Sequence, residues 1–116
     1  METKFNFKSQ ICTDINQSER LLALGLKKET ADMVWLNHAL TEDYDDWRSE
    51  PIYKDWEGWQ KNGIPAWSLH RLIEMVAHTQ YPYYVISKEL PIYDALCERI
   101  EWLIKEGYFP KEYLEG

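Results

Sequence analysis

The run from 91 to 107 constrains this chain more than any other stretch. Ile92, Tyr93, Leu96, Cys97, Ile100, Leu103 and Ile104 recur at three- and four-residue spacing, while Glu98, Arg99, Glu101 and Lys105 fall between them. That is the pattern of a helix of about four turns with one apolar side. Pro91 suits the first helical position, and Gly107 closes the last turn. A helix gains most of its stability by packing such a side, so the rest of the chain must supply a complementary layer.

Two further helices carry local start and stop signals. Thr13 or Asp14 can cap the first, and Gln17 stands in capping-box register with Asp14. Ile15, Leu21, Leu22 and Leu24 give it an apolar face, with Ser18, Glu19 and Arg20 outward. Gly25 and Leu26 sit where a Schellman ending needs them, so the helix is read over 14–24. Ser68 caps the second, Trp67 is placed to staple near Leu72, and Leu69, Leu72, Ile73 and Val76 form its stripe over 69–78.

Between these helices the signals are shorter. Residues 31–36 favour a short strand over a helical turn running into Asn37, His38, Ala39 and Leu40. Residues 80–88, rich in Tyr, Val and Ile, form the best strand candidate, with Pro82 placing its start at an edge. Residues 4–11 alternate loosely, as a strand or as part of a frayed arm over 1–10. Tyr108, Phe109, Tyr113 and Leu114 are expected to fold back on the core. At 116 residues the chain makes a single domain, 1–116, long enough to bury roughly two thirds of its unfolded surface. The expected class is α+β, with about three helices and a two- or three-stranded sheet.

The stretch 42–67 is unlike the rest. It contains four of the six tryptophans, and residues 42–57 set seven acids (Glu42, Asp43, Asp45, Asp46, Glu50, Asp55, Glu57) against Arg48 and Lys54. That is a local charge of −5 in a chain of −7. Pro51, Gly58, Gly63 and Pro65 punctuate it, so it reads as loop with short strand or turn pieces.

The charge balance excludes some functions. Thirteen bases against 20 acids cannot coat a phosphate backbone or an anionic bilayer. No apolar run approaches a membrane span, and the opening residues lack a secretory h-region, so a cytoplasmic protein is expected. Cys12 and Cys97 are read as reduced thiols. No cofactor signature, nucleophile elbow, phosphate loop or zinc motif is present. His70 and His78, eight residues apart, stand about 12 Å apart along a helix and cannot share a metal. His38 is the histidine free to meet Asp32 or an acid of the middle segment. Counting a calcium loop from Asp43 puts Arg48 where glycine is required and Lys54 where glutamate is required, which excludes an EF-hand. A catalytic role is not expected.

Three blocks, 12–33 (CTDINQSERLLALGLKKETADM), 64–76 (IPAWSLHRLIEMV) and 93–108 (YDALCERIEWLIKEGY), resemble a family of small uncharacterised bacterial proteins often encoded by prophages or other mobile elements. The shared pattern runs QSxxLxxLG, TADM, PAWSL, WLIxxG and covers roughly half the chain. The resemblance implies an α+β domain and no particular activity. Residues 35–63 do not follow it.

The functional expectation is therefore a non-catalytic accessory domain acting through another protein, with monomer and homodimer equally open. Tyr44, Trp47, Tyr53, Trp56 and Trp59 are the candidate binding residues, since rigid rings dominate contact surfaces. Two alternatives use the same segment: an aromatic platform for a sugar or peptide, and an acidic surface imitating DNA phosphates. Against all of these stands a structural role, in which Trp56 and Trp67 fill gaps in a small core.

Overall fold

The computed structural model describes residues 10–52, 63–79 and 91–115. Helix α1 spans Ile15–Ala23, strands β1, β2 and β3 span Met33–Asn37, Trp47–Pro51 and Ile64–Ala66, and helices α2 and α3 span Leu69–Ala77 and Ile92–Lys105. Short 3₁₀ turns occupy Lys28–Thr30 and Lys111–Tyr113. Among the described residues, three helices and an antiparallel three-stranded sheet make the expected α+β domain. The strand expected over 80–88 and the arm over 1–9 lie outside the described residues.

The helix ends follow their local chemistry. The Asp14 carboxylate accepts from Gln17 N at 2.7 Å, and the Gln17 side chain accepts from Asp14 N at 3.0 Å, closing the capping box. At the other end Gly25 N donates to the Leu22 carbonyl and Leu26 N to the Leu21 carbonyl. This is a Schellman pair with Gly25 at φ +96°. The same motif closes α3, where Gly107 (φ +78°) and Tyr108 donate to Ile104 and Leu103. The Ser68 hydroxyl caps α2 through Arg71 N. Pro91 occupies the cap of α3 rather than its first turn.

β1 lies at the centre of the sheet, in the order β2-β1-β3. His38 N donates to Asp46 O and Ile52 N to Asp32 O, so even-numbered residues form the hydrogen-bonded pairs between β1 and β2. Odd-numbered residues of β1 then turn toward β3, where Met33 faces Ala66 and Trp35 faces Ile64. Pro65, opposite Val34, falls at a position whose N–H would point away from β1. The register thus admits a proline without losing a ladder bond. Strands β2 and β3 are the short strand pieces expected within the otherwise loop-like stretch 42–67.

The core joins Leu21 and Leu26 to Trp67, Leu72, Met75 and Val76, and to the α3 stripe of Tyr93, Leu96, Cys97, Ile100 and Leu103. Ile92, assigned to that stripe by its spacing, is 43% exposed. Phe109 is buried, and the tail returns to the α1 turn through Lys27 N to Tyr113 O and Glu115 N to Gly25 O.

A polar seam ties the sheet to the helices. The Thr13 hydroxyl accepts from Trp67 N and shares a hydrogen bond with the Ser18 hydroxyl. Trp35 Nε1 donates to Thr13 O, and Trp67 Nε1 donates to Thr30 Oγ1. Asp32 accepts from both the N–H and the hydroxyl of Ser68. Ser18, expected outward, is therefore buried because its hydroxyl has a partner inside.

Candidate functional site at the hairpin tip

The connection from β1 to β2 runs from 38 to 46, longer than the two to five residues of a usual hairpin loop. Asn37 organises it. Its side-chain oxygen accepts from Ala39 N at 3.1 Å and Asp46 N at 2.9 Å, and its amide nitrogen donates to Asp45 at 3.1 Å. Thr41 Oγ1 accepts from Asp43 N, and the Tyr44 hydroxyl accepts weakly from Leu40 N at 3.5 Å. The loop encloses an open depression of about 460 Å³ lined by Asn37, Ala39, Leu40, Thr41, Glu42, Tyr44 and Asp45.

Two apolar groups stand out of this loop. Leu40 is 91% exposed and Tyr44 51% exposed. The acids around them divide into two sets. Asp46 pairs with Arg48 at 2.9 Å, and Glu50 with His38 at 2.7 Å. Glu42, Asp43 and Asp45 face water with no basic partner among the described residues. The tip thus carries a small apolar projection on the same loop as three acids that have no basic partner among the described residues.

Of the five aromatic residues proposed from sequence, Tyr44 lies on the tip, and Trp47, half-buried, opens β2 at its base. Tyr53, Trp56 and Trp59 lie outside the described residues. Trp67 has no exposed surface and is a core residue. His38 meets a carboxylate of the acidic segment, Glu50, while Asp32 is committed to Ser68.

Two exposed residues do not stand out in the sequence, Leu40 and, on the outer side of α3, Trp102. There Trp102 is 41% exposed, with the Arg99 guanidinium 4.8 Å from its ring centroid and the Tyr108 ring 5.7 Å away. The spacing of Arg99 and Trp102, both off the apolar stripe, was the available signal.

A second cleft of about 440 Å³ is lined by Gln10, Ile11, Cys12, Asp14, Trp35 and Ser49. Burial raises the Cys12 thiol above its ordinary pKa, and burial pushes Cys97 up to about 12. Both cysteines are free and buried, so neither offers a thiolate near neutral pH. Among the described residues no three His, Cys, Asp or Glu side chains gather as a metal site would need, and no helix is long and apolar enough to cross a membrane.

Compared with protein-family models, curated proteins and solved structures, the chain matches none. The chemistry of the site rests on its own residues.

Proposed function

We propose that this protein is a non-catalytic interaction domain, an accessory product of a prophage or mobile element, that grips a basic partner protein with the tip of its β1–β2 hairpin. The observation that carries this reading is Leu40, 91% exposed on the same loop as the exposed acids Glu42, Asp43 and Asp45. An apolar side chain held in water by an ordered loop gains its energy on docking, and the surrounding acids select a partner of opposite charge and speed its approach. The mobile-element origin is supported by the QSxxLxxLG, TADM, PAWSL and WLIxxG blocks, and the cytoplasm is the compartment that fits two reduced thiols.

A photo-crosslinking residue at position 40 tests the reading, with the same residue at Glu98 on α3 as control. A discrete basic protein captured from bacterial lysate at position 40, absent at 98 and lost in 1 M salt, is the expected result. The same products from both positions would refute it.

A further inference from the structure

We infer that the outer edge of β2 is a self-complementary seam through which two copies of this chain pair into a continuous antiparallel sheet. This goes beyond the hairpin tip and uses different residues.

The register fixes which backbone groups are available. Since Arg48 and Glu50 spend their N–H and C=O groups on β1, Trp47, Ser49 and Pro51 direct theirs outward. Among the described residues those outward groups have no partner. The edge is thus open among the described residues, and an open strand edge is a template for another strand. The order of side chains along it selects which one.

Strand β2 reads Trp47-Arg48-Ser49-Glu50-Pro51. A second copy laid antiparallel about a two-fold axis at Ser49 brings Ser49 opposite Ser49, Arg48 opposite Glu50, and Trp47 opposite Pro51. Both Arg48–Glu50 contacts occur at non-hydrogen-bonded positions, where facing side chains lie closest. The two Ser49 residues exchange a pair of backbone bonds, and each Trp47 N–H reaches the Pro51 carbonyl of the other copy. The N–H that Pro51 lacks is therefore the only ladder bond lost on each side. Charges of one sign on an edge repel a second strand; here the two signs alternate so that two-fold pairing matches them. Arg48 and Glu50 already lie on the surface, Arg48 with a side chain 64% exposed and Glu50 35% exposed, in pairs with Asp46 and His38. Exposed pairs of that kind exchange partners at little cost. The antiparallel seam sends the two hairpin tips to opposite ends, leaving both Leu40 side chains uncovered.

Five residues a side is a short seam, below the area of a tight dimer, so the association is expected to be weak and concentration-dependent. Sedimentation velocity over a concentration series reads it directly. The wild-type chain is expected to shift from monomer to dimer as concentration rises into the hundreds of micromolar. Arg48→Glu alone and Glu50→Arg alone each oppose like charges across the axis twice. Each should raise the dissociation constant about tenfold or more. An equimolar mixture of the two variants restores both opposite-charge contacts and should dimerise at least as well as wild type, as should the double swap R48E/E50R. Circular dichroism of each variant separates a lost seam from a lost fold. A wild type that stays monomeric throughout, or single variants that dimerise as readily as wild type, would overturn the inference. So would a mixture that dimerises no better than its components. None of these results bears on capture at position 40.

Discussion

A leucine that leaves 91% of its surface in water adds nothing to the stability of the fold. Replacing Leu40 with Asp is therefore expected to move the unfolding free energy by no more than about 0.5 kcal/mol, as for other surface changes. Leu72→Ala, at a position with no exposed surface, should cost about 2–5 kcal/mol through lost contacts and a cavity. Urea midpoints of the two variants check the contrast. Equal losses would mean that Leu40 packs against the domain. The buried thiols make a second residue-level prediction. Folding raises the Cys97 pKa from 9.0 to about 12, so over that interval the folded chain holds a proton that the unfolded chain has released. Stability must then fall as pH rises from about 9 toward 12. Cys12 and Tyr93, also raised by burial, act in the same direction. A thermal midpoint that declines above pH 9, and declines less in Cys97→Ala relative to its own value at pH 7, is the expected result.

At the scale of elements, the helices were legible because their determinants are local. A capping carboxylate, a stripe and a closing glycine all lie within one or two turns of each other. Gly107 illustrates this: at φ +78°, with open space where a side-chain carbon would sit, it is needed for backbone conformation alone. Gly107→Ala should cost about 1–2 kcal/mol, read as a lower urea midpoint with unchanged slope. The strands were less legible for a physical reason. β2 contains Arg, Ser, Glu and Pro, and β3 contains Pro65, compositions that score poorly as strands. They pair because β1 offers a bond at each position that needs one, which is a property of register and not of either segment. The site was legible only in part. Its acids and Tyr44 stand out in the sequence, but Leu40 becomes distinctive only when the loop is seen to hold it away from the core. Trp102 shows the same difficulty, since nothing but its place relative to the α3 stripe marks it as outward.

For the whole molecule, the parts divide by what they hold. The helices, the polar seam around Thr13, Asp32 and Trp67, and the returning tail make a platform whose interactions close on themselves. Ionic contacts between helices are peripheral to it. Glu101, held below the usual carboxylate range by Lys105 and Arg20, joins α3 to α1 at the surface. Among the described residues the hairpin carries an exposed leucine and tyrosine, three acids without basic partners, and an open edge with alternating charge. A hairpin that projects apolar and acidic groups from a tied platform is the arrangement expected of a domain that acts by contact. The most direct test immobilises wild-type protein beside the tip variant L40D/E42K/D45K, matched for unfolding midpoint, and compares what each retains from bacterial lysate. A basic partner held by wild type and lost from the variant at equal stability is the expected result. Equal retention by both proteins would contradict it.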